Sequence, residues 1–475
     1  MSQLLSRAPG LAALCLLTLA LFVGGAFAQA TPDVVAPVVE ASGSGAAATT
    51  TAAAAEASAP PPSLLGHQVP LELDAAGTAW LGTSTALVLL MTLPGLALFY
   101  GGMVRRKNVI ATITQSVGVF AVASLVWFVA GYSLAFGVGT DALNPIIGSL
   151  QSAFLNGVTL ETAHALLPGI PEFLWISFQL TFAVITPALV TGAFAERFKY
   201  SALLLFTALW SLIVYAPIAH WVWGGGFLGG MGVLDFAGGA VVHVNSGVAG
   251  LVCALFLGPR KGYGVEPINP HNPVLTMIGA SLLLVGWIGF NAGSAGSANA
   301  LAGAALINTL LAAAAGSLSW KLIEVIEKKK ATLIGLLSGV VAGLVAITPA
   351  AGFVDPKGAV IIGLIAGPAC YAASVWIKKL LRYDDSLDAF GIHGAGGLVG
   401  ALLTGVFATT VINELSADAN LPAQAIGLAW TIAWSAVGTF VVLLICRYTT
   451  GLRVSEAEED AGLDTTLHGE ALEAV

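Results

Sequence analysis

Eleven apolar runs, most of them close to the length of a bilayer-crossing helix, follow one another between Thr78 and Tyr448. They fall approximately at residues 78–100, 109–136, 175–194, 201–218, 235–257, 273–291, 298–322, 333–349, 359–377, 390–407 and 423–448. Runs of this length read as helices, because a strand of a membrane barrel needs only about 9–11 residues, and helices satisfy their own backbone polar groups in lipid. Charged residues make up only 9% of the chain, against about 25% in soluble domains. A soluble multidomain enzyme is excluded. The expected fold class is an all-α polytopic membrane protein with eleven transmembrane helices.

The basic residues set a direction. Arg105, Arg106, Lys107, Arg197, Lys199, Arg260, Lys261, Lys321, Lys328, Lys329, Lys330, Lys378, Lys379, Arg382, Arg447 and Arg453 lie at or just after the ends of odd-numbered runs, leaving only Arg7 and Lys357 elsewhere. The positive-inside rule then puts the N-terminus outside and the C-terminus in the cytoplasm. An even number of spans would destroy this partition. A net charge of -8, with no Lys/Arg stripe among aromatics, excludes nucleic acid as a partner. Cys15, Cys253, Cys370 and Cys446 sit in apolar runs without metal-ligand spacing, so neither disulfides nor a metal site is expected. Phosphate-binding, dinucleotide and hydrolase motifs are missing, and the reading is a non-enzyme without cofactor.

Both ends differ from the apolar core. Residues 1–28 resemble a secretory signal peptide, with Arg7, an apolar stretch from Leu11 to Phe22 and an Ala26-Phe27-Ala28 cleavage site; an uncleaved anchor is the alternative. Residues 29–76, rich in Ala, Pro and Thr, read as a disordered periplasmic linker. The transmembrane domain then occupies 77–450, and 451–475 form a cytoplasmic tail.

Two runs repeat each other. Asp235 precedes His243 by eight residues and Asp385 precedes His393 by eight, while His243-x3-Gly247-x2-Gly250 matches His393-x3-Gly397-x2-Gly400. Phe99-x2-Gly102-x5-Asn108 likewise matches Phe290-x2-Gly293-x5-Asn299. Each pair is five runs apart, and an odd offset gives the halves opposite orientation. The plan is an inverted five-helix repeat plus a final helix, which places a substrate path at the repeat interface near the midplane.

Ionisable groups inside lipid are costly, so the few present are functional candidates. Glu196, Asp235 and Asp388 fall at run ends, whereas His243 and His393 lie well inside. If the chain is helical from each aspartate onward, each histidine sits about 12 Å beyond it, near the midplane. Two readings stand: an imidazole pair that donates, accepts or exchanges a proton, and two packing histidines on Gly-rich helices. Topology also brings Phe178, Phe182, Trp223, Trp287, Phe290 and Ser294 to the outer side. Aromatic faces attract a cation by about 0.5–2 kcal/mol each, and a serine hydroxyl accepts a hydrogen bond from an ammonium donor. A small-cation vestibule and an interfacial aromatic belt both fit. No mid-membrane carboxylate follows, so an ion entering the bore would lose its hydration without a counter-charge, and a neutral molecule crosses more cheaply.

The ordered motifs resemble those of the ammonium transporter family, the Amt/MEP/Rh group, and its bacterial Amt branch in particular. They are Pro94-Gly95-x4-Tyr100-Gly101-Gly102, Ala195-Glu196-Arg197, His220-x2-Trp223-Gly224-Gly225-Gly226 and Asp235-Phe236-Ala237-Gly238-Gly239. Gly289-Phe290-Asn291-Ala292-Gly293-Ser294, Thr348-Pro349-Ala350 and Asp388-Ala389-Phe390-Gly391-Ile392-His393-Gly394 complete the set, and the similarity covers about residues 78–455. The resemblance implies that Phe178, Phe182, Trp223 and Ser294 bind ammonium externally, with Phe182 and Phe290 as the gate below. It further implies that Trp287, His243 and His393 line the pore and that Asp235 organises the site without ligating the ion. An ammonium transporter or channel in a bacterial plasma (inner) membrane follows, conducting ammonia after deprotonation, as a homotrimer without cofactor. A PII-type signal protein would dock on its cytoplasmic face, with the acidic tail as a regulatory segment; a merely solubilising tail is the alternative. An ammonium sensor of the same fold and an Rh-like gas channel are the rival functions, and Trp223 speaks against the second.

Overall fold

The computed structural model describes residues 65–472. The signal peptide read at 1–28 and residues 29–64 of the linker lie outside the described residues. The linker's remaining part corrects the sequence reading, because order begins at least ten residues earlier than expected. A strand β1, Gln68–Pro70, pairs antiparallel with β2, Thr162–His164. Asp74 then caps the first long helix through Gly77 N–H at 2.9 Å. A three-residue strand held by a distant partner leaves no periodicity in its own sequence.

The apolar runs form α1 Ala75–Met103, α2 Arg106–Phe136, α3 Glu172–Phe194, α4 Tyr200–Gly230, α5 Gly239–Leu257 and α6 Pro273–Ala292. They continue as α7 Ala300–Lys328, α8 Leu333–Ile347, α9 Pro356–Leu381, α10 Phe390–Phe407 and α11 Leu421–Thr449. Ten are long and apolar enough to cross a membrane, and α8 is the shorter eleventh. Local chemistry sets many starts: Asn299, Thr332, Asp355 and Asn420 accept first-turn amides as N-caps, with Pro356 following Asp355 in the first turn of its helix. After α11 the chain folds back as α12 Glu456–Ala461 and α13 Leu463–His468.

The inverted repeat is visible in matched details. Gly238 and Asp388, 150 positions apart, both take left-handed backbone, with φ of 114° and 60°. Immediately after each comes a wide, π-type turn, Gly239–Val244 and Phe390–Gly394, and each turn carries its histidine. The contacts are also reciprocal. A Cβ on Gly247 would strike the Gly394 backbone, and one on Gly397 would press against the Val244 backbone, which is the self-complementary pairing of a two-fold interface. Glycines here let α5 and α10 cross at backbone distance.

One expectation needs correction. The helix does not run unbroken from Asp235 to His243, because residues 236–238 form a bend and α5 starts at Gly239. Asp235 instead accepts the amides of Gly238, Gly239, Ala240 and Val241 at 2.5–3.0 Å. A carboxylate satisfies four helix-start donors that would otherwise be orphaned. Its repeat mate Asp385 does the same for Ala389 and Phe390 at 3.0 and 2.8 Å.

The basic groups that follow α1, α3, α5 and α11, together with Lys378 near the end of α9, meet at one end of the bundle. Glu196 binds Arg105 at 2.8 Å and Arg260 at 3.3 Å, and Asp384 binds Arg260 at 2.8 Å. Lys378 pairs with Asp388, and Arg453 with Glu459 at 2.8 Å. Burial pushes the Glu196 and Asp384 carboxyls up, but their arginine partners outweigh it and hold both below the usual carboxylate range.

Candidate functional site

A column of rings runs between the halves of the repeat. Phe178 on α3 meets Phe182 edge-on, with centroids 5.0 Å apart. Phe182 in turn touches Trp223 at 5.8 Å and lies against Phe290 of α6 at 4.4 Å, tilted by 35°. With exposures of 1% and 0%, Phe182 and Phe290 close the column. Trp223 and Ser294 are only half-buried, so they form its open rim.

Beneath the closed pair the rings stack almost parallel. His243 lies 5.9 Å from Phe290, 5.4 Å from Trp287 and 5.3 Å from His393, with interplanar angles of 21–25°. The two imidazoles face each other through Nδ1, 3.3 Å apart. A neutral imidazole has one N–H and one lone pair, so this contact requires one ring to donate and the other to accept. Whichever way the proton sits, one Nε2 is left as an acceptor and the other as a donor. His243 Nε2 is buried and has no hydrogen-bond partner in the protein. Beside the pair lies a cavity of about 10 Å³, walled by Met91, Phe99, Ile185, Leu189, Leu283, Trp287 and the two histidines among others. That is the room one water-sized molecule needs.

Comparison with known proteins decides the family. The model of the Ammonium Transporter Family matches residues 79–472. The ammonium transporter of Bacillus subtilis is 50% identical over 396 residues, covering 81% of this chain and 95% of that protein. This chain belongs to the ammonium transporter family. The ammonium transporter Amt1 of Archaeoglobus fulgidus is 45% identical and covers 82% and 97%. Among solved structures, the crystal structure of Saccharomyces cerevisiae Mep2 matches with a TM-score of 0.75 at 38% identity, covering 81% of this chain and 88% of that one. The structure titled Sensor Amt Protein matches with a TM-score of 0.76 at 31% identity, covering 83% and 98%. The family is one of transporters, not enzymes.

The residues singled out from the transporter's sequence divide by depth. Phe178, Phe182, Trp223, Phe290 and Ser294 lie at or above the closed ring pair. Trp287, grouped by topology with the outer aromatics, sits deeper, stacked on His243 and donating its Nε1–H to Thr348 Oγ1 at 2.9 Å. Ser294 donates to the Phe290 carbonyl at 2.8 Å, which leaves its oxygen lone pairs free to accept. Asp235 spends its carboxylate on four amides and offers its backbone carbonyl to Trp223 Nε1 at 2.8 Å, so its main chain fixes the indole.

The sequence did not point to Thr348 as the anchor of Trp287, nor to the opening at the basic end. There a cavity of about 340 Å³ is bordered by Met103, Arg260, Tyr263, Lys378, Ser386 and Asp388 among others. The left-handed Asp388, in a motif otherwise rich in Gly and Ala, was the available signal for that mouth.

Proposed function

We propose that the transporter recruits ammonium at its aromatic rim, strips one proton and passes ammonia through the histidine-lined bore. The observation that carries this is the His243–His393 pair beside an apolar cavity with room for one small molecule. Trp223 and Phe178 offer ring faces to a cation, and Ser294 Oγ accepts one of its N–H donors. The described residues that wall the cavity beside the histidines include no carboxylate, so a permanent cation such as potassium is rejected by its own dehydration cost. Ammonium escapes that cost by leaving a proton behind. Ammonia then finds an Nε2 acceptor and an Nε2 donor on the paired rings, which also offer a relay for the proton.

Family resemblance supports the remaining parts of this reading. The protein is a homotrimer in a bacterial plasma membrane, with residues 1–28 removed as a signal peptide, the N-terminus outside and the tail cytoplasmic. A PII-type protein docks at the basic, cytoplasmic end. Transport is preferred over sensing because the curated relatives at 40–50% identity are named ammonium transporters.

The test is a jump in ammonium across proteoliposomes, read as current and internal pH, with potassium as control and His243→Ala beside wild type. An ammonium signal without a potassium signal, lost or made unselective in His243→Ala, is the expected result. A net current shows that charge accompanies the ammonia. Wild-type rate and selectivity in His243→Ala would overturn the bore, and silence of well-folded wild type would favour a sensor.

A further inference from the structure

His220, just before the rim tryptophan, is fully buried and has both ring nitrogens engaged. Its Nδ1 lies 2.9 Å from the Ala135 carbonyl oxygen and its Nε2 lies 2.6 Å from the Asn144 carbonyl oxygen. Backbone carbonyls only accept, and a neutral imidazole has a single N–H to give. Both contacts are hydrogen bonds only if the ring carries two protons. The contrast is His164, whose Nδ1 accepts from Leu166 N–H at 3.1 Å while Nε2 faces the Phe136 carbonyl at 3.2 Å, an arrangement that suits the neutral ring.

The end of a helix favours a cation at His220, although no counter-charge among the described residues reaches the buried ring. It sits in the last turn of the helical segment Ala216–Val222, where the carbonyl end of a helix attracts positive charge. No ion pair reaches the ring among the described residues. On the elements packed around it, Asp141 of the Asn144 loop is exposed, Tyr132 beside Ala135's turn donates to Glu172, and Asp235 is held by four amides.

The His220 backbone is also the hub of the turn that carries Trp223. The His220 carbonyl accepts Gly224 N–H at 3.0 Å and Gly226 N–H at 2.9 Å, closing a turn whose middle residue, Gly225, has φ of 88°. Three successive carbonyls of the facing loop receive this turn: Asn144 from His220, Pro145 from Phe227 N–H at 3.0 Å and Ile146 from Trp221 Nε1 at 2.7 Å. We propose that His220 is held as an imidazolium whose two N–H groups clamp the Trp223 turn to the carbonyls of Ala135 and Asn144. It is thus a positioning residue for ammonium recruitment, a role that rests on the rim assignment of Trp223 made above. Removing one proton sets a ring lone pair against a carbonyl oxygen and loosens the indole.

The full chain in proteoliposomes tests this in two ways. Ring-15N histidine spectra at neutral pH, with His220→Gln for assignment, should show both nitrogens of His220 protonated; a neutral tautomer overturns the proposal. At matched ammonium-ion concentrations, His220→Gln should raise the half-saturating concentration about threefold or more while the maximal rate stays within about twofold, as expected from a misplaced aromatic face. The substitution should add nothing in a Trp223→Leu background. If Trp223→Leu weakens recruitment but His220→Gln does not, only the clamp fails; if Trp223→Leu itself changes nothing, the rim assignment fails and takes the clamp with it. Should His220→Gln not fold, wild-type spectra in which no histidine ring carries two protonated nitrogens at neutral pH overturn the proposal alone.

Discussion

Replacing Asp235 by Asn removes one of two acceptor oxygens that each serve two amides. Oδ1 holds Gly238 and Gly239, and Oδ2 holds Ala240 and Val241. The amide retains one oxygen, so two charge-assisted bonds are lost at about 1.5–3 kcal/mol each, or about 3–6 kcal/mol together. An NH2 group then faces two N–H donors, which adds to the cost. The repeat supplies an internal control. Asp385 serves one amide per oxygen, and Asp385→Asn loses a single bond, about 1.5–3 kcal/mol. Burial pushes both carboxyls up, and at Asp385 the neighbouring Asp388 adds to it. Unfolding of purified protein at neutral pH, followed in detergent with denaturant, should therefore rank Asp235→Asn well below Asp385→Asn and both below wild type. Ammonium currents should also weaken in Asp235→Asn, since Trp223 hangs from the Asp235 carbonyl. Equal stabilities for the two variants, or an unperturbed Asp235→Asn, would refute the claim that counted amides set the roles of these aspartates.

Two further outcomes follow from packing and charge. Gly247→Ala drives a methyl into the Gly394 backbone and should destabilise by about 1–3 kcal/mol while parting the histidines; unchanged thermal stability and ammonium flux would count against close helix crossing as the basis of the pair. Glu196 and Asp384 hold folded-state values below the ordinary range of about 4, so their contribution is complete above that pH and disappears as pH falls through the lowered values. Acid unfolding below about pH 4 should become shallower in Asp384→Asn, and an identical acid profile would show that the network adds nothing.

The spans were legible because lipid leaves a chain almost no freedom: apolar runs of that length must be helices, and the two Asp-x7-His patterns betray the repeat. The ring column was legible only as a list of aromatics on one side. Sequence position could order Trp287 and Phe290 along α6 but could not show that both stack on His243, because that depends on which face of α6 turns inward. The wide turn Ile288–Ala292 alters that face locally, and no periodicity announces it. The strand at Gln68–Pro70 and the two carbonyls facing His220 are contacts between segments far apart in the chain, so neither has a local signature.

The start of α2 has one more consequence. Asn108 and Ala111 open this helix, yet the Asn108 side chain accepts Leu463 N–H at 2.9 Å, and the Ala111 amide is capped by Asp464 at 2.8 Å. These partners leave the ribosome some 355 residues after Asn108. During synthesis α2 therefore enters the bilayer with its entry turn unfinished, and only a chain extended past Asp464 can close it. A stretch translated long after α2 acts as a seal on it, tying maturation of the basic end to arrival of Leu463 and Asp464.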